Sequence, residues 1–187
     1  MRPIVITTFV SLDGVMDSPG GGDYVHGGWT FKDVPFDEAA YEIKGREMDE
    51  ATALMFGRQS YDEFAPVWPS MEEFATYNAM PKYVVSTTLD GDTAPWGDGT
   101  VQVLRSLDDV AALKETEGGE IHVHGSARLA QSLAAAGLVD RYTLLVFPLL
   151  LGSGKKLFGD SDKTKLELVE HAAYGNGITL QRYDVVH

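Results

Sequence analysis

No cysteine occurs among the 187 residues. Its absence excludes disulfides, thiolate metal sites and cysteine nucleophiles together. It also excludes a zinc deaminase centre, whose signature requires a Cys-x-x-Cys pair. Long apolar runs are missing too, since nothing approaches the ~18 consecutive apolar residues of a membrane span. Met1-Arg2-Pro3 passes straight into a β-prone run with no leader pattern, so a cytoplasmic location without membrane partners is expected. Basic residues are scarce: 15 Lys and Arg stand against 28 Asp and Glu, for a net charge of −13. Such a surface repels phosphate backbones and no basic run offsets it, so nucleic acid is not an expected partner. Repeats, low-complexity tracts and linkers are also absent. With 44% apolar residues, residues 1–187 are expected to fold as a single domain around a substantial core.

What is present is organised around Ile121 to Gly154. A short β-prone run, Ile121 to His124, breaks at Gly125-Ser126 and enters a helical pattern with Leu129, Leu133 and Ala136 on one face. Gly137 suits the residue just past that helix, and a strongly apolar strand, Tyr142 to Phe147, follows and stops at Pro148. A strand, glycine turn and helix leave backbone N–H groups free at the helix start, facing an anion. A Gly-Ser pair alone fits a plain turn as well as a phosphate site.

Earlier in the chain, Ile4 to Val10 reads as a central strand, followed by the turn Ser11-Leu12-Asp13-Gly14. Asp13 fits either a substrate- or loop-orienting carboxylate or an Asx-type turn closing on its own backbone. Asp17 to Gly28 reads as a glycine-rich mobile loop, a flap or an ordinary surface segment; His26 lacks a second ligand nearby, so no metal site is expected. A helix is expected from about Asp37 to Ala51, burying Phe36, Ala40, Ile43 and Met48, with Glu42 and Arg46 at i,i+4. Thr52 to Gly57 reads as a strand and Gly57-Arg58-Gln59-Ser60-Tyr61 as a turn into a short helix. There Arg58 is either a phosphate ligand or a surface arginine. Trp68, Phe74 and Tyr77, between Phe64 and Lys82, could wall a substrate pocket, though aromatics at helical spacing are more often core. Tyr83 to Thr88 reads as a strand ending in hydroxyls, Asp90 to Thr100 as loop, Val101 to Leu104 as strand and Leu107 to Thr116 as a helix capped by Ser106. Leu166 to His171 and Ile178 to Val185 read as a hairpin joined through Tyr174 to Gly177.

Three spaced strings carry a resemblance: Gly125-Ser126-Ala127-Arg128-Leu129, Gly137-Leu138-Val139-Asp140, and Pro148 with Gly152, Gly154-Lys155, Leu157 and Phe158. Together with Gly57-Arg58-x-Ser60-Tyr61, they resemble the dihydrofolate-reductase-like superfamily. The branch they look most like is named after the C-terminal reductase domain of the riboflavin-biosynthesis deaminase/reductase. The resemblance implies an α/β three-layer fold, with a mostly parallel central sheet, helices on both faces and an antiparallel C-terminal hairpin.

It further implies an NADPH-dependent reductase acting on a small molecule, with a homodimeric assembly. Two substrates compete, the ribosylaminopyrimidine of riboflavin synthesis, 5-amino-6-(5-phosphoribosylamino)uracil, and a dihydrofolate-like pterin. A cofactor-binding protein without turnover is the third reading. The resemblance points to Gly57, Arg58, Ser60, Ser86, Thr87, Gly125, Ser126, Ala127 and Arg128 for the cofactor. For the chemistry it points to Asp13 and to Asp37, Glu38 and Tyr41 on the first long helix. The apolar segment Leu144 to Leu151, longer than one buried strand needs, is the expected dimer surface.

Overall fold

The computed structural model describes residues 1–90, 95–97 and 101–187. Of the expected loop Asp90 to Thr100, positions 91–94 and 98–100 lie outside the described residues. Ile4–Ser11 forms β1, the β-branched run expected of a strand covered on both faces, and all but one of its residues are buried. On one side β1 pairs in parallel with β5 (Glu120–His124), and on the other with β6 (Arg141–Phe147). The sheet continues outward from β5 through β2 (Ala51–Gly57), β3 (Lys82–Val85) and β4 (Val101–Leu104), all parallel. Beyond β6, the antiparallel strands β8 (Thr179–Val186) and β7 (Lys165–Ala173) complete the order β4-β3-β2-β5-β1-β6-β8-β7. This is the mostly parallel sheet with a terminal hairpin that the motifs implied.

Alternation along the strands sends side chains to two apolar layers. Ile4, Ile6, Val123, Met55 and Leu144 meet α5 (Leu107–Lys114) and α6 (Ala127–Ala135) on one face. Phe9, Leu145, Phe147 and Leu54 meet α1 (Trp29–Lys32), α2 (Glu38–Glu50), α3 (Arg58–Phe64) and α4 (Ala75–Ala79) on the other. The helices end where local chemistry dictates. Ser106 and Asp109 exchange the two hydrogen bonds of a capping box at the start of α5. At the end of α6, Gly137 takes φ +67, its N–H donates to Ala134 and that of Leu138 to Leu133, the Schellman pattern.

Several expectations need correcting. The buried stripe of α2 is Ala40, Ile43 and Glu47, while Phe36 is exposed and Met48 only half-buried. Arg46 pairs with Glu170 across on β7, at 2.7 Å, in preference to Glu42 one turn back. Strand β3 stops at Val85, because the Ser86 hydroxyl accepts the N–H groups of Thr88 and Leu89 and turns the chain. Of the apolar run Leu144 to Leu151, Leu144, Leu145 and Phe147 are buried, while Pro148 and Leu150 are exposed. No helix among the described residues is long and apolar enough to cross a membrane.

Candidate functional site at the carboxyl edge of the sheet

Because β2 and β5 are parallel neighbours, the turns that follow them meet at one edge. The Gly57 N–H donates to Ser126 Oγ at 2.9 Å, and that hydroxyl donates to the His124 carbonyl at 3.1 Å, so one side chain ties the two turns. Gly125 and Ser126 are both left-handed, at φ +59 and +62. The left-handed conformation favours glycine at 125, and a Cβ there would stand tightly, 3.1 Å from Ser60 Oγ. This double turn starts α6 without any side-chain cap, leaving its first N–H groups, beginning with Ala127 and Arg128, available to an anion. Gly57, Ser60, Gly125, Ser126, Ala127 and Arg128 are therefore brought into one cradle whose geometry fits a phosphate group.

The expected 2′-phosphate ligands lie along the same edge but are engaged locally. Arg58 grips both oxygens of Asp62, one turn on, at 2.9 and 2.8 Å, and both side chains are exposed. Ser86 is buried as a turn former, whereas Thr87 is exposed. Sequence reasoning missed Arg105, which follows β4 and donates to the carbonyls of Ser86 and Leu89 at 3.0 and 2.7 Å. It braces that turn with a guanidinium, and its place just after a strand end was the available signal.

At the end of β1, Asp13 does not close on its own backbone alone. One carboxylate oxygen accepts from the Ser11 hydroxyl at 2.6 Å and from the Leu151 N–H, while the other accepts from the Gly152 N–H at 2.7 Å. The Ser11 bond and these backbone donors hold its pKa down to about 2 against the desolvation that opposes them. Asp13 thus clasps the loop after β6 to the end of β1. The segment Asp17–Gly28 lies against the same loop, through Tyr24 to the Ser153 carbonyl and Asp17 to Lys155.

Of the three residues expected at the start of the first long helix, Asp37 is its N-cap, accepting from Ala39 N–H, and Glu38 is exposed. Tyr41 packs its ring against Phe9 and Phe36, and burial raises its pKa. The carboxylate that faces the sheet is instead Glu47, fully buried, which accepts from the Thr7 hydroxyl and pairs with Lys44 at 2.9 Å. Lys44 also donates to Thr7 Oγ1 at 2.9 Å and lies over the Phe9 ring. Thr7 is the register partner of His124 on β5. Continuing the i, i+3, i+7 stripe from Ala40 and Ile43 would have found Glu47.

One cluster among the described residues has metal-ligand spacing, Glu50, Glu120 and His122. Its carboxylates are already neutralised, Glu50 by Arg182 at 2.7 Å and Glu120 by Arg141 at 3.2 Å, so it reads as an ion-pair network.

Residues 2–180 match the family model described as RibD C-terminal domain. The chain belongs to that family. Its likeness to the Bacillus subtilis (strain 168) protein YyaP, itself uncharacterized, is 26% identity over 188 residues, 95% of this chain and 92% of that one. The fold is shared with a protein from Shewanella sp. PV-4 described as "Putative riboflavin biosynthesis protein", at TM-score 0.78 and 21% identity over the full length of both chains. It is shared also with dihydrofolate reductase from Enterococcus faecalis, solved with NADP(H), at TM-score 0.65 and 12% identity over 99% of this chain and 97% of that one. The branch read from the motifs is thereby borne out, and the fold is one shared with dihydrofolate reductase.

Proposed function

We propose that the protein is an NADPH-dependent reductase of a small heterocyclic metabolite, of the type that reduces 5-amino-6-(5-phosphoribosylamino)uracil in riboflavin synthesis. The observation that carries this reading is the paired turn at Gly57 and Gly125, tied through Ser126 at an uncapped helix start, in a family of this kind. There Ala127 and Arg128 would hold the pyrophosphate, and Gly125 and Ser126 would give it close approach. Arg58, exchanging Asp62 for the 2′-phosphate, would act with Ser86, Thr87 and Arg105. When bound, the reduced nicotinamide supplies the hydride; the chain positions the substrate, excludes water and provides the proton. We also propose a homodimer, as a family trait.

Titration of NADPH into charge-altered variants tests the cradle. Arg128 is exposed in the first turn of α6, where a carboxylate favours the helix dipole. Arg128→Glu should therefore keep the melting temperature while weakening NADPH and NADH alike by about tenfold or more. Arg58→Ala should weaken NADPH about tenfold and leave NADH nearly untouched. A folded Arg128→Glu protein that binds both cofactors like the parent sinks the reading.

A further inference from the structure

Parallel pairing sets the ends of β2, β3 and β4 in one row, with Gly57 opposite Val85 and Val85 opposite Leu104. The residues that follow, Arg58, Ser86 and Arg105, therefore share the edge where the adenosine 2′-phosphate would lie. The two arginines there are not equivalent. Arg105 donates to the Ser86 and Leu89 carbonyls, at 3.0 and 2.7 Å, and braces a turn. Arg58 instead gives its Nε to both oxygens of Asp62, one turn further along α3, at 2.9 and 2.8 Å. The next acid, Glu63, is turned to the neutral amide of Gln59, at 3.0 Å. The guanidinium at this edge thus carries its own counter-ion, a carboxylate standing where an anionic ligand would bind.

We propose that Asp62 sets the cofactor preference by competing with the 2′-phosphate for Arg58, so that the protein discriminates only weakly between NADPH and NADH. This deepens the reductase reading and rests on it for the cofactor. Two effects act in the same direction on NADPH. Its phosphate must take Arg58 from a carboxylate that already holds it, and the displaced carboxylate stays within one helical turn of a dianion and repels it. NADH meets neither penalty. Its 2′-hydroxyl has a proton to donate, and the Asp62 carboxylate is an acceptor of the kind that reads that hydroxyl in other dinucleotide sites. Both Arg58 and Asp62 stand in solvent, and an exposed pair at i,i+4 is weak. Asp62 therefore tunes the preference and does not block the phosphate.

The probes are NADPH and NADH, each titrated calorimetrically into the full chain. Asp62→Asn and Asp62→Ala should each tighten NADPH by about threefold to tenfold. Neither should tighten NADH, so the ratio of the two affinities rises by the same factor. Glu63→Gln removes an equal charge one position along without touching Arg58, and its ratio should stay that of the parent. The proposal is overturned if both Asp62 variants bind NADPH like the parent, if NADH tightens as much as NADPH, or if Glu63→Gln raises the ratio equally. Weaker NADPH binding in the Asp62 variants would make Asp62 a support that aims Arg58 at the phosphate, which also overturns it. Failure of the reductase reading looks different: the parent then binds neither cofactor, and this inference falls with it. NADPH binding that depends on Arg58 but not on Asp62 keeps the reductase reading and sinks this inference alone.

Discussion

Toward α5 and α6 the central strands present Ile6, Val123, Met55 and Leu144, whereas toward α2 the same sheet presents Thr7, His122, His124 and Thr143. Among the described residues, the buried side-chain atoms without a partner belong to Tyr77, His122, His124, Thr143 and Arg182, all on this second side. Burying an unpaired polar group costs about 1–3 kcal/mol, so the α2 side carries a penalty that the α6 side avoids. Departures from local stability of this sort cluster where a protein binds and reacts. One face of the sheet is mainly an apolar packing surface, and the other carries a strip of buried polar side chains among its apolar ones.

That contrast is open to attack from either side. The largest effect is expected in the apolar layer, where Leu133 is fully buried on α6: Leu133→Ala should cost about 2–5 kcal/mol in urea unfolding and leave ligand affinity in place. On the polar side, Glu47→Ala removes the partner of Lys44 and Thr7 and should cost about 1–3 kcal/mol in the same measurement. A Glu47→Ala loss larger than that of Leu133→Ala would reverse the ranking of the two faces.

The smallest effect belongs to neither face. Asp13 has a folded pKa of about 2 against an ordinary 3.8, so its contribution is complete above the ordinary value and is lost as pH falls through the folded one. Melting temperature followed from about pH 4 down to about pH 2 should fall less steeply for Asp13→Asn than for the parent. A parallel decline in both would show that the clasp to Leu151 and Gly152 contributes nothing to stability.

Much of this architecture was written in local pattern. β-Branched runs, the Ser106 cap, Gly137 and the glycine turns each act through their own backbone within a few residues, so strand order aside, the elements could be read directly. The turn at Gly125 was legible for the same reason, since a helix start and a left-handed glycine are local events. What the sequence could not state was which polar residues would be drawn inward together. Lys44, Glu47, Thr7, His124 and Tyr77 come from α2, β1, β5 and α4, and only the packing of α2 and α4 over the sheet places them side by side. Likewise Asp13 found its donors 138 and 139 positions away, at Leu151 and Gly152. Chain-local geometry determined the elements and the glycine turns. Burial, which depends on the whole fold, decided which side chains lost their water and which of them were left without a partner.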